Sequence, residues 1–142
     1  MRYMILVKAT PDSEAGIMPS EALMSSMAAY HEQLVKAGVL LDASGLQSSA
    51  KGWRVRYHGD KRTIVDGPFA ETKELLAGYT IIQVRAPEEA LEWARRFPNP
   101  SIDGGKAEIE VRRMFELEDF EPGKAVEQFR EMGVSGATST HH

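Results

Sequence analysis

The sequence predicts an α+β protein of ferredoxin-like type, with elements in the order β-α-β-β-β-α-β, an inserted hairpin and a C-terminal tail. Three observations lead there. Two stretches repeat apolar residues at the helical period and carry helix-end signals. Short extended runs bounded by turn residues lie before, between and after them. The 142 residues, without repeats or linker, make one domain large enough for a core.

The first strand is Tyr3 to Lys8, apolar on both sides, with Tyr3, Ile5 and Val7 on one and Met4 and Leu6 on the other. Residues 9–19 carry Pro11, Gly16 and Pro19 and read as a loop. Ser20 is a good N-cap for a helix from Glu21 to about Ala37, closed by Gly38. At about 100° per residue, Leu23, Met27, Tyr30 and Leu34 fall on its core-facing arc. Val39 to Leu41 begins an extended segment, and Gly45 to Lys51 is a polar loop.

Trp53, Val55 and Tyr57 alternate with Arg54, Arg56 and His58, so this run is a strand. Gly59-Asp60 is the tip of a hairpin whose return covers residues 61–66. Gly78 to Arg85 is a further strand with apolar residues on both faces. Pro87 sits at a helix N1 position with Glu88 and Glu89 in the first turn, and Ala90, Trp93, Ala94 and Phe97 form its inner stripe. After the Gly-rich connection from Asn99 to Lys106, Ala107 to Phe115 is the last strand. A short helix from Lys124 to Met132 is expected to turn Val126, Phe129 and Met132 inward.

Two helices cover only one face of such a sheet, while its strands at 3–8 and 78–84 are apolar on both. A second copy is the economical cover, so a homodimer with sheets face to face is expected.

Composition excludes several classes. With a net charge of −4 there is no basic footprint for nucleic acid. The absence of cysteine removes disulfides, thiolate nucleophiles and cysteine-ligated zinc, and suits a cytoplasmic protein. No apolar run approaches a membrane span. His31 and His58 are the only internal histidines and no metal-ligand spacing surrounds them, so neither a metal nor a cofactor is expected. The terminal pair His141-His142, either native or the remainder of an expression tag, carries no part of the chemical reading.

The longest ordered motif is Asp66-Gly67-Pro68-Phe69-Ala70-Glu71-Thr72-Lys73-Glu74, followed by Gly78-Tyr79. Gly67-Pro68 is strong turn punctuation and ends the strand through Ile64 and Val65. Asp66 can accept hydrogen bonds from amides that the turn leaves unpaired. This nonapeptide resembles the DGPF branch of the YCII-related family. Arg2-Tyr3-Met4, Lys36 to Leu41, Glu89 to Ala94 and Glu108 to Arg112 extend the resemblance over about the first 115 residues. The resemblance implies a dimeric α+β barrel, with the family domain over residues 1–116 and a C-terminal helix and flexible tail over residues 117–142. A few relatives are small-molecule enzymes, and most members have no known activity.

His31 and Asp66 are the candidate catalytic residues. His31 lies within the inner arc of the first helix, where it is either a satisfied core group or a proton shuttle. Some YCII-related proteins pair a helix histidine with an aspartate, and the resemblance offers His31 for that part. Asp66 is either a turn-capping carboxylate or the base, or orienter, that partners His31. Arg54, Arg56 and His58 share one strand face, which either holds an anionic ligand or is solvated. Glu108, Glu110 and Arg112 pose the same choice on the last strand. Glu71, Lys73 and Tyr79 complete the candidate ligand contacts. Two functions fit. One is a small-molecule-binding dimeric barrel with cofactor-free acid/base chemistry, isomerase- or lyase-like. The other is a regulatory or interaction module, since DGPF-branch proteins are often encoded near alternative sigma factors.

Overall fold

A computed structural model describes residues 1–134. Its strands are β1 (Arg2–Lys8), β2 (Leu40–Gly45), β3 (Trp53–His58), β4 (Lys61–Asp66), β5 (Leu76–Gln83) and β6 (Ile109–Arg113). The helices are α1 (Pro11–Glu14), α2 (Glu21–Lys36), α3 (Pro87–Arg95) and α4 (Lys124–Glu131). β1, β2, β5 and β6 form one antiparallel sheet in the order β2-β5-β1-β6. With α2 and α3 on one face, this is the ferredoxin-like α+β arrangement that the element order predicts. β3 and β4 pair only with each other, as a separate two-stranded arm.

The core lies between the sheet and the two helices. Ile5 and Ile82 from the sheet meet Tyr30 and Leu34 of α2 and Ala90 and Trp93 of α3. Leu34, Ile5 and Ile82 are fully buried, each contributing about 2 kcal/mol through transfer of its side chain from water. β5 records the two faces of the sheet: Gly78, Thr80 and Ile82 are buried under the helices, while Tyr79 and Ile81 on the far face are only half-buried.

α2 begins and ends as the sequence indicates. Ser20 Oγ accepts the Leu23 amide at 3.2 Å, and Gly38 follows the last turn at φ 74°. Its inner arc is divided, however. Tyr30 and Leu34 are buried, whereas Leu23 and Met27 are half-buried and Met24 is exposed. The N-terminal half of α2 therefore roofs a space instead of packing on the core.

Three local expectations are corrected. The loop over residues 9–19 contains α1, started by a reciprocal cap: Thr10 Oγ accepts the Ser13 amide and Ser13 Oγ accepts the Thr10 amide. Pro11 at its first position suits the preset φ of a helix start. The last strand is shorter than expected, because the chain leaves the sheet after Arg113. α4 does form, but none of its residues is buried, and Phe129 and Met132 stay exposed. It lies beside the short 3₁₀ turn at Leu117–Asp119, which offers too little apolar surface to cover the stripe. The part of the expected flexible tail beyond Val134, with His141 and His142, falls outside the described residues.

Candidate functional site

Beneath the raised half of α2 is an open cavity of about 810 Å³, within the range of small-molecule sites. Leu23, Met27 and Ala28 form its roof, Ala43 of β2 and Thr80 of β5 its floor, and Phe97 and Ile102 one end. Ile17 and Met18, from the loop after α1, make an apolar rim. The cavity thus sits on the helix face of the sheet and within one chain.

His31 stands on its wall with both ring nitrogens engaged. Nδ1 lies 2.7 Å from the Met27 carbonyl oxygen, one helical turn back, and Nε2 lies 2.9 Å from Thr80 Oγ1. A carbonyl only accepts, so Nδ1 carries the proton and donates. In the neutral ring Nε2 then accepts from the Thr80 hydroxyl. Tyr30 and Phe97 flank the imidazole edge to face, at 5.4 and 6.2 Å between centroids. One tautomer and one orientation are set, and the basic nitrogen is coupled to a hydroxyl on the cavity floor. Thr80 was not among the sequence candidates. Its only signal is a hydroxyl inside an otherwise apolar run, between Tyr79 and Ile81.

Tyr79 borders the cavity from its place in β5 beside Thr80, but its side chain alternates to the far face of the sheet. Its hydroxyl donates to Asp42 Oδ2 at 2.9 Å, and that bond raises its pKa above the ordinary tyrosine value. The other sequence candidates lie elsewhere. Arg54, Arg56 and His58 share a face of the exposed arm, and Glu71 and Lys73 are exposed beside the turn at Thr72–Glu74. Glu110 joins Lys8 and Arg112 in a surface ion-pair group, which holds its carboxyl below the usual range, chiefly through the Arg112 hydrogen bond. Asp66 closes β4 opposite Trp53, is exposed, and is not on the cavity wall. The fold brings the His31 side chain to the cavity, turns that of Tyr79 to the other face of the sheet, and leaves Asp66 outside.

The Asp66–Glu74 segment is anchored by other residues than Asp66. Ser49 Oγ accepts the Phe69 amide at 3.0 Å, and the Gly52 carbonyl accepts the Gly67 amide at 3.0 Å. Among the described residues the Asp66 carboxylate has no hydrogen-bond partner, so the capping role expected of it falls to Ser49. Ser49 is itself held by Glu14, whose carboxylate accepts both its amide and its hydroxyl. The Arg54 guanidinium lies 3.9 Å from the centre of the Phe69 ring. Gly67 passes so close to Ser49 that no side chain fits between them. Ser48 and Lys51, from the same turn, line the cavity. The motif thus holds one wall of the site in place without adding a side chain to it.

The sequence profile of the YCII-related domain matches residues 1–115. The chain belongs to the YCII-related family. A relative, uncharacterized protein R00369 of Rhizobium meliloti (strain 1021), is 33% identical over 89 residues, covering 63% of this chain and 72% of that protein. Among solved structures, similarity is found to 5-chloro-2-hydroxyhydroquinone dehydrochlorinase from Burkholderia phenoliruptrix AC1100, in complex with 2,5-dihydroxybenzoquinone. The sequences are 14% identical, the TM-score is 0.45, and the match covers 85% of this chain and all of the other. A likeness at that level carries no chemistry over to this YCII-related protein. Among the described residues, no group of three acidic or histidine side chains could hold a metal ion, and no helix is long and apolar enough to cross a membrane.

Proposed function

We propose that this YCII-related protein is a cytoplasmic homodimer that binds a small, largely apolar organic molecule in the cavity under α2, with His31 and Thr80 as its acid/base pair. The observation that carries the reading is the His31–Thr80 hydrogen bond at the wall of an otherwise mainly apolar cavity. A ligand hydroxyl can donate to Thr80 Oγ while the Thr80 proton passes to His31 Nε2, a relay that needs no cofactor and suits isomerisation or elimination. Asp66 enters only if its loop reaches the ligand from outside the wall.

Calorimetric titration with 1-naphthol tests this. One site per chain is expected, closed by Ala28→Trp, which adds an indole to the roof that Ala28 lines. His31→Leu and Thr80→Val should each weaken binding about tenfold, the scale of one lost buried hydrogen bond. Asp66→Asn reports whether the loop contributes. Binding that survives Ala28→Trp unchanged would rule the cavity out.

The dimer reading is supported by the half-buried apolar face of the sheet opposite α2 and α3. Met4 and Ile81 are cross-strand partners there, with Leu6 and Tyr79 beside them. Glutamate at both Met4 and Ile81 should convert a sedimenting dimer into a monomer. A wild-type chain that sediments as a monomer would end this part of the proposal.

A second reading, an interaction module, is favoured by the arm. Trp53, Tyr57 and Ile64 are each about two-thirds exposed on one face of a two-stranded sheet, an apolar surface that marks many interaction sites. If it is the functional surface, Trp53→Ser with Tyr57→Ser abolishes partner capture and leaves 1-naphthol binding intact.

A further inference from the structure

Aspartate and glutamate make up about one residue in seven of this chain, yet neither occurs among the described residues that line the cavity. The lining does include a cation, Lys51, which forms no ion pair among the described residues. Glu14, which holds the same turn, has both carboxylate oxygens engaged by Ser49. Thr10, Ser13 and Ser48, also on the wall, carry hydroxyl groups and no charge. A net-negative protein has thus kept carboxylates out of the described lining of one apolar recess and placed a lysine there.

We propose that the cavity takes an amphiphilic anion, an apolar aromatic body carrying one carboxylate or sulfonate that is held by Lys51. The inference rests on the cavity being the binding site and adds the charge of the ligand. Selection is two-sided: Lys51 attracts the anion, and no carboxylate is present to reward a cationic ligand. The volume of about 810 Å³ accommodates a body of two or three rings.

Two dyes with the same rings separate charge from shape: 1-anilinonaphthalene-8-sulfonate, and N-phenyl-1-naphthylamine, which lacks the sulfonate. Each is titrated by fluorescence into wild type, Lys51→Gln and Ala28→Trp. Lys51→Gln should weaken the sulfonate dye about fivefold, as befits a partly solvated ion pair, and change the neutral dye less than twofold. Added salt should weaken the sulfonate dye in wild type and have little effect on it in Lys51→Gln. Equal effects of Lys51→Gln on both dyes, or none on either, overturn the anion assignment while closure by Ala28→Trp keeps the cavity as the site. Failure of Ala28→Trp to reduce either dye, or failure of both dyes to bind wild type, overturns the cavity and the inference with it.

Discussion

Gly67→Ala is expected to lower the unfolding free energy by about 3 kcal/mol, the upper end of what overpacking costs. A Cβ at Gly67 would sit 1.8 Å from the Ser49 carbonyl oxygen and 2.6 Å from its carbonyl carbon. Both are backbone atoms of a turn pinned by Glu14, so no side-chain rotation relieves the clash. The chain must move, and the Phe69 amide then leaves Ser49 and the Phe69 ring leaves Arg54. Gly123→Ala is the control. A Cβ there meets nothing within 4 Å, and its φ of −179° is open to any residue. Both changes reduce unfolded-chain entropy alike, so the difference between them isolates the contact. Urea denaturation should place Gly123→Ala within about 0.5 kcal/mol of wild type. Equal stability of the two variants would show that the Asp66–Glu74 loop is not wedged against Ser49. Displacing this turn also moves Ser48 and Lys51, so Gly67→Ala should disturb dye binding as well as stability.

That contact also marks the limit of what the chain discloses unfolded. Turn residues, caps and apolar periods are local, and they placed α2, α3, the hairpin and the strands of the sheet to within a few residues. The inner arc of α2 is legible for the same reason, and it puts His31 on the correct side. Sequence periodicity does not report distance from a neighbour, however. It cannot separate Tyr30 and Leu34, packed on the core, from Leu23 and Met27, suspended over a cavity. Asp66 is conspicuous because Gly67-Pro68 follows it, yet the side chain that holds the turn is Ser49, itself held by Glu14, and these lie 17 and 52 positions upstream. A serine in a polar loop and a glutamate in a short helix carry no local mark of that role. Thr80 escapes for a similar reason: only the register of β5 under α2 makes its hydroxyl the partner of His31.

The second large effect is expected at alkaline pH and comes from the neighbour of that histidine. Tyr30 is buried, and its hydroxyl donates to the Trp93 carbonyl oxygen at 2.7 Å. Burial pushes its pKa from 10.0 up to about 12, and Arg96 opposes the shift only in part. Ionisation would place a charge between the Trp93 and Phe97 rings and remove the donor that ties α2 to α3. The folded pKa lies above the unfolded one, so the native state holds this proton more tightly. The stabilisation is complete below pH 10 and is lost as the pH rises through about 12. Two pKa units correspond to roughly 3 kcal/mol. Tyr30→Phe has no proton to lose. At neutral pH it should be less stable than wild type by about 1 kcal/mol, for the Trp93 carbonyl left without its donor. The deficit should shrink and then reverse between pH 10 and 12. The other three tyrosines are common to both proteins, so the difference between the two stability curves belongs to Tyr30. A gap that stays constant from pH 9 to 12 would mean that the hydroxyl is not confined in the core. If the gap closes as expected, the same bond explains how His31 is aimed. Tyr30 fastens α2 to α3 at the turn where the helix leaves the core, so the next side chain along projects over the cavity toward Thr80.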